Sequence, residues 1–219
     1  MRTRSLGSEH LVLDVGSGGG RRLRPYVDAE VPVLGIEPDR ARARLAEDLG
    51  VPTTPAWFDA ALGARLASEG RRGDVVHAHG VLDRVPDPFD FAQGLVHAVA
   101  RDGVVVVEVP YVFGVGAPLP ARPRYFSLTS LTTLLGAAGL FVVDVDVDGG
   151  QLLAEASPAR PVAPPASDAV SALAFREAQL DPARVESYAP RFSPRPEGPG
   201  LQTPHPTAWS GAAPEGDPT

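Results

Sequence analysis

A glycine-dense turn follows an apolar run and an acid close to the start of the sequence. The run at residues 11–15 predicts a short buried strand, and residues 21–28 can begin a helix. Glycines at such a junction allow positive φ and let the backbone approach a ligand, while the helix start offers unpaired N–H groups. We therefore expect a nucleotide or nucleoside site at this turn.

The spacing of the glycines distinguishes between the known types of nucleotide-binding motif. A dinucleotide fingerprint needs a third glycine at position 21, where the chain has Arg21. A phosphate loop needs a lysine, and the chain contains none. The residues instead spell Asp-x-Gly-x-Gly-x-Gly from Asp14 to Gly20. A glycine-rich turn that binds nothing is the structural alternative.

A second apolar run, at residues 31–36, ends in Glu37. This position is where a βαβ unit places the tip of its second strand. A carboxylate there could accept hydrogen bonds from both ribose hydroxyls of a nucleoside. The alternative is an acid that stabilises the start of the following helix, and the two roles are compatible.

Composition narrows the class of protein. The chain has 219 residues, is 43% hydrophobic and carries a formal net charge of −7, which argues against a nucleic-acid partner. It has no cysteine, and its five histidines lack zinc-ligand spacing, so no metal site is expected. No apolar run is long enough to span a membrane, and we expect a cytoplasmic protein. The sequence does not specify an oligomeric state.

Strand and helix patterns alternate along the chain, which predicts a doubly wound α/β sheet. Besides the first two strands, we expect strands at residues 53–58, 74–78, 103–109, 141–147 and 151–155, and helices near 39–49, 60–69, 88–100 and 128–138. Ser127 is a candidate N-cap and Gly139 a candidate stop for the last of these helices. Asp148, Gly149 and Gly150 predict a hairpin, which makes the seventh strand antiparallel.

The amino-acid composition changes after residue 157, where proline becomes frequent. We predict a folded domain over residues 1–157 and a mostly disordered tail over 158–219. Helical spacing of apolar residues predicts one helix in the tail, near residues 168–180.

The segment from Asp14 to Gly20 resembles the first motif of class I S-adenosylmethionine-dependent methyltransferases. Further segments, among them Glu108-Val109-Pro110-Tyr111 and Tyr125-Phe126-Ser127, resemble sugar C-methyltransferases, which methylate a carbon of a nucleotide-linked keto-deoxysugar. The resemblance covers roughly residues 11–157. It implies a Rossmann-like methyltransferase sheet, S-adenosylmethionine as cofactor and a small-molecule acceptor. The cofactor residues expected on this basis and from the strand ends are Asp14, Gly16, Ser17, Gly18, Gly20, Glu37, Phe58, Asp59 and His79.

Three later strand ends supply candidates whose roles the sequence leaves open. Trp57, Phe58 and Asp59 could place an aromatic face and a carboxylate against an adenine ring, or serve as a core aromatic and a helix cap at Asp59. His79 could act as a general base, although a lone histidine is more often a polar core or surface residue. Glu108 and Tyr111 could face the substrate, and Glu108 could equally be a solvated strand-end acid.

The departures from the sugar C-methyltransferase pattern matter for catalysis. The sequence has neither the family's cysteine-rich zinc-binding domain nor its C-terminal α/β domain. The family's Tyr-His-Glu-His motif, which transfers protons, aligns with residues 119–122, Leu-Pro-Ala-Arg. His79, Glu108, Tyr111 or Tyr125 would have to replace that base. The leading expectation is a small-molecule methyltransferase, and the alternative is a catalytically silent remnant that still binds the cofactor.

Overall fold

Alternating strands and helices build the described part of the chain in the computed structural model, which covers residues 5–114, 124–159 and 167–179. The strands are β1 Val12–Val15, β2 Val33–Ile36, β3 Thr53–Thr54, β4 Gly73–His79, β5 Val99–Pro110, β6 Phe141–Asp148 and β7 Gln151–Ser157. The helices are α1 Arg24–Asp28, α2 Arg40–Asp48, α3 Ala60–Ser68, α4 Pro88–Ala98, α5 Leu128–Ala138 and α6 Asp168–Ala178.

The seven strands form one sheet in the order β3-β2-β1-β4-β5-β7-β6. Strands β1 to β5 pair in parallel, and β7 lies antiparallel between β5 and β6. Gly149 and Gly150 connect β6 to β7 at φ of 54° and 78°, a region that glycine enters without a Cβ clash. The predicted doubly wound sheet with an antiparallel final strand is confirmed.

Helices cover both faces of the sheet because alternate strand residues point to opposite sides. On one face, α3, α4 and α5 contribute Leu62, Phe91 and Leu131 to the larger hydrophobic core. On the other face, Leu23 and Ala46 belong to a smaller core that lies near α1 and α2. The strand residues directed to this second face include the polar groups described below.

A carboxylate or a hydroxyl caps the unpaired backbone N–H groups at the start of each helix from α2 to α5. Asp39 caps α2 and Asp87 caps α4. Ser127 caps α5 by accepting from Ser130 N, and Gly139 ends that helix at φ 105°. The predicted start and stop of α5 are therefore confirmed.

Two predicted boundaries are wrong. The third strand ends at Thr54 instead of residue 58, because Ala56 N, the next donor that the β2–β3 ladder requires, donates back to Thr54 O. The fifth strand begins at Val99 instead of residue 103, directly after α4. Val99 pairs with Gly73 before an irregularity in the β4–β5 ladder, so the backbone extends earlier than the valine run suggests.

Helix α6 is the part of the predicted tail that the structure describes. It lies in the same compact unit as the sheet, with Leu173 in the larger core. Ser167 Oγ lies 2.5 Å from Asp144 Oδ1 on β6, and Ser167 N donates to Val143 O. The remainder of the proposed disordered tail, apart from residues 158 and 159, lies outside the described residues, and the boundary at residue 157 stays a prediction. Among the described helices, none is long and apolar enough to cross a membrane.

Candidate functional site

The sheet changes its direction of winding between β1 and β4, and open α/β sheets bind ligands at such a point. The loop of residues 16–20 leaves β1 here, with Gly16 N and Ser17 N donating to Ile36 O at 2.8 and 3.2 Å. A Cβ on Gly16 would collide with the side chain of Val81, which follows β4. The loops after β1 and β4 therefore touch, and a side chain at Gly16 would separate them.

Two further glycines of this loop differ in their surroundings. Gly20 has φ 78°, and a Cβ there would lie 3.1 Å from the Ala46 backbone, so this glycine packs the loop against α2. Gly18 has φ 55°, and a Cβ there would meet no atom within 4 Å. The loop therefore packs against α2 at Gly20 and is open at Gly18, where a ligand has space next to the Gly18 backbone.

Glu37, at the end of β2, is 5% exposed and contacts this loop directly. Its Oε2 accepts from Gly18 N at 2.8 Å, and its Oε1 accepts from Asp39 N at 3.0 Å. Each carboxylate oxygen has a second lone pair that could accept from a hydroxyl group. Both predicted possibilities, a helix-start acid and a ligand acceptor, are compatible with this geometry.

Asp14 lies beneath the loop and is fully buried. Neither of its oxygens has a hydrogen-bond partner, and Arg22 Nη1 lies 3.8 Å from Oδ2. Burial raises the pKa of Asp14 to about 7, with Arg22 opposing the shift and Glu37 adding to it. An unpaired buried carboxyl is costly, so its presence next to a ligand loop favours a functional role.

A hydrogen-bonded chain of four side chains runs along the same face of the sheet. Tyr26 Oη lies 3.2 Å from His77 Nε2, and His77 Nδ1 lies 3.2 Å from His79 Nε2. His79 Nδ1 lies 3.2 Å from Glu108 Oε2. We call Tyr26, His77, His79 and Glu108 the edge chain. It brings the predicted catalytic residues His79 and Glu108 together at the carboxyl ends of β4 and β5.

Desolvation shifts the pKa values of His77, His79 and Tyr26. It lowers the pKa of His77 to about 4, with further lowering by His79 and Arg22. Burial and Arg22 also lower the pKa of His79 against the opposing effect of Glu108. Burial and the nearby Asp14 raise the pKa of Tyr26. The two imidazoles are therefore neutral at physiological pH.

Tyr111 lies on the opposite face of β5 from Glu108, because the two are three residues apart in an extended strand. It is 5% exposed and belongs to the larger core. Burial and a hydrogen bond to Glu177 of α6 raise the pKa of its hydroxyl. The structure does not bring Tyr111 to His79 and Glu108, and its catalytic role stays an untested prediction.

Phe58 and Asp59 have structural contacts in this chain. Phe58 is buried with its ring edge-on to Phe91 at 5.3 Å, and Asp59 caps α3 through Leu62 N at 2.7 Å. The neighbouring Trp57 is 74% exposed. Of this predicted aromatic–acid segment, Trp57 is therefore the ring available to a ligand.

Residues 119–122, which the resemblance to sugar C-methyltransferases aligns with a proton-transferring motif, lie outside the described residues. Arg124, just beyond them, donates to Val85 O and Pro86 O at 2.6 and 3.1 Å, so it ties its segment to the loop after β4. Within the described ranges, no group of three side chains could hold a metal ion.

Tyr26 and His77 are site residues that our sequence reasoning did not select. The His-x-His spacing on β4 was a usable signal, because residues two apart share one face of a strand. Tyr26 carried no such signal, since its contact with His77 spans 51 residues of sequence.

Comparison with known proteins adds the family. A family model described as a methyltransferase domain matches residues 4–145, more than half of the chain. The chain belongs to this family. It is 35% identical over 158 residues to the C-methyltransferase NovU of Streptomyces niveus, an alignment that covers 68% of this chain and 38% of NovU. An uncharacterised methyltransferase of Mycobacterium leprae (strain TN), ML2584, is 31% identical over 98 residues, covering 45% and 36% of the two chains.

The chain spans less than two-fifths of the length of these curated relatives. Solved structures agree on the fold. The CcbJ methyltransferase from Streptomyces caelestis superposes with a TM-score of 0.59 at 18% identity, over 71% of this chain and 86% of that one. A didemethyltoxoflavin N1-methyltransferase of Burkholderia thailandensis, solved with S-adenosylhomocysteine, gives 0.51 at 23% identity, over 67% and 70%.

Proposed function

We propose that this chain is an S-adenosylmethionine-dependent methyltransferase of small molecules, with a nucleotide-linked sugar as the leading acceptor class. The observation that carries the cofactor assignment is the contact between Glu37 and Gly18, which brings the second-strand acid to the open side of the glycine loop. The sugar class is supported by the segments, among them Glu108-Val109-Pro110-Tyr111, that resemble sugar C-methyltransferases, and the likeness to the C-methyltransferase NovU supports transfer to carbon.

The residues of the crevice fit such a cofactor. Glu37 would accept from the ribose hydroxyls through its remaining lone pairs. Asp14, buried without a hydrogen bond, would gain a favourable interaction from a cationic ligand nearby. Trp57 offers an exposed ring to a purine, the role first expected of Phe58. When bound, the cofactor supplies a sulfonium methyl group, which is already a strong electrophile.

Titration calorimetry with S-adenosylhomocysteine tests the cofactor assignment. We expect Glu37→Ala to weaken binding at least about tenfold, or ~1.4 kcal/mol, because a charged acceptor of hydroxyl groups is lost. Glu37→Gln, which keeps one acceptor oxygen, should lose less. Glu47→Ala, at an exposed site on α2, is the matched control and should bind as the wild type does. A folded wild type that does not bind contradicts the proposal.

A cofactor-binding protein without catalysis is the second candidate, favoured by the residues at 119–122, which offer no proton acceptor in place of the family's motif. The two candidates differ in turnover. The test is formation of S-adenosylhomocysteine from S-adenosylmethionine with thymidine-diphosphate keto-sugars as acceptors. Product formation above the rate without acceptor supports the enzyme, and tight binding without product supports the silent protein.

A further inference from the structure

The strand register places the edge chain on one face of the sheet. His77 pairs with Asp14 of β1, and His79 pairs with Glu108 of β5. Side chains at paired positions of neighbouring strands point to the same face. His79 and Glu108 therefore occupy the outer row, at the edge where the glycine loop leaves β1, and His77 and Asp14 occupy the row beneath it.

The proton positions in the edge chain follow from what each group can donate. Glu108 is a partly exposed carboxylate, and a carboxylate can only accept, so His79 Nδ1 carries the proton. Neutral His79 then accepts at Nε2, which requires a proton on His77 Nδ1. His77 in turn accepts at Nε2, so Tyr26 donates its hydroxyl proton. Every proton in the chain points towards Glu108.

With the protons in this order, His79 cannot act as the general base that the sequence predicted as one of its possible roles. Both of its ring nitrogens are engaged inside the protein, so it has no lone pair to offer a substrate. Glu108 differs, because its side chain is 33% exposed and its hydrogen bond to His79 uses Oε2. Oε1 is left to accept a proton from the crevice.

We propose that Glu108 is the catalytic proton acceptor of the methyl transfer, and that His79, His77 and Tyr26 are positioning residues that fix its orientation through a single ordered chain of hydrogen bonds. The inference rests on the proposed function and deepens it. In the step, the acceptor's bond to hydrogen would break, the proton would go to Glu108 Oε1, and the electron pair would form the new bond to the methyl carbon. The methyl–sulfur bond would break at the same time, with its electron pair remaining on sulfur, which leaves as a neutral thioether. Glu108 then releases the proton to water.

Neutral imidazoles leave the Glu108 carboxylate a stronger base than cationic ones would. A cationic His79 would form an ion pair with Glu108 and make the carboxylate a weaker base. Four groups from neighbouring elements face His77 and His79. They are Arg22 in the turn before α1, Tyr26 on α1, Asp14 on β1 and Glu108 on β5. Burial and Arg22 lower the pKa of both rings, so no cationic imidazole lies beside Glu108.

The proton order can be read without any reaction. In long-range ¹H–¹⁵N spectra of the full-length protein at pH 7, we expect His77 and His79 to carry the proton on Nδ1, the minor form of free histidine in water. His10, His97 and His205 serve as internal comparisons, and His77→Gln and His79→Gln assign the signals. In Glu108→Ala, the constraint on His79 is lost and both rings should show a mixture of forms. A proton on Nε2 of His79 in the wild type overturns the proposal.

Variants of His79 separate positioning from catalysis once turnover is measured. Asparagine places an amide N–H near the position of Nδ1, so His79→Asn keeps the donor to Glu108, whereas His79→Ala removes it. We expect Glu108→Gln to lower kcat by about 10²- to 10⁴-fold. His79→Ala should lose roughly 10- to 100-fold, and His79→Asn should recover to within about tenfold of wild type.

Each outcome decides between the roles. If His79→Asn is as inactive as Glu108→Gln, His79 is the proton acceptor and the proposal is wrong. If Glu108→Gln retains wild-type kcat, Glu108 has no catalytic role. If S-adenosylhomocysteine does not bind or no acceptor is methylated, the proposed function and the role of Glu108 fall together. The spectra still decide whether the ordered chain exists.

Discussion

Replacing Asp14 by asparagine should change how stability depends on pH. The pKa of Asp14 rises from 3.8 to about 7 on folding because the carboxyl is buried, so the folded state binds its proton more tightly than the unfolded state does. The stability contributed by protonated Asp14 is fully present below pH 3.8 and is lost as pH rises towards 7. At about 1.4 kcal/mol per pKa unit, the full loss is about 4 kcal/mol.

The asparagine side chain cannot titrate and is close to the protonated carboxyl in size. We therefore expect Asp14→Asn to gain stability relative to wild type by about 3 kcal/mol more at pH 8 than at pH 5. The assay is urea unfolding followed by circular dichroism at both pH values. Asp28→Asn, at an exposed carboxylate on α1, is the control and should show no such change between the two pH values. An equal effect of Asp14→Asn at both pH values would refute the reasoning that burial controls this group.

Three further predictions concern packing and binding. Glu177→Ala should destabilise the protein by about 3 kcal/mol in urea unfolding, because the buried carboxylate accepts from Leu128 N, Thr129 N and Thr129 Oγ1 at the start of α5. Glu47→Ala, at an exposed site, is the control and should change stability by less than about 0.5 kcal/mol. Gly94→Ala should cost about 1–3 kcal/mol in thermal unfolding, since a Cβ there would lie 2.5 Å from Asp59 O. Gly136→Ala in α5, where a Cβ meets nothing within 4 Å, should be stabilising, and equal effects would contradict this account. S-adenosylhomocysteine should quench the fluorescence of exposed Trp57, and Trp57→Phe should abolish the change; quenching that persists in the variant assigns it to Trp209 instead.

The sequence predicted the strand–helix alternation and the approach of Glu37 to the glycine loop, because parallel strands end at one edge of a sheet. It did not predict which side chains turn inwards after β3. The backbone turns back at Ala56 and ends that strand early. Phe58 then packs on Phe91 while Trp57 faces solvent, which depends on tertiary contacts with α4. The contact of Tyr26 with His77 likewise depends on how α1 lies on the sheet, which no local pattern encodes.

The packing of α6 on the sheet was likewise not predictable from the sequence. Its apolar spacing predicted a helix, but not that Glu177 would reach the start of α5 across 49 residues of sequence. A charged residue on a short tail helix is ordinarily solvated, so no local pattern indicated that this side chain is buried. Only the packed structure identifies it as a buried cap.

The position of β7 between β5 and β6 affects the order in which the sheet can assemble during synthesis. When β6 has left the ribosome, its place is separated from β5 by a gap that only β7 can fill. The nascent sheet therefore ends at an exposed β5 edge until residues 151–157 emerge. A chain truncated before residue 151 would keep that edge, rich in valine, open to pairing with other chains, so pairing of β7 with β5 closes the edge most exposed to aggregation.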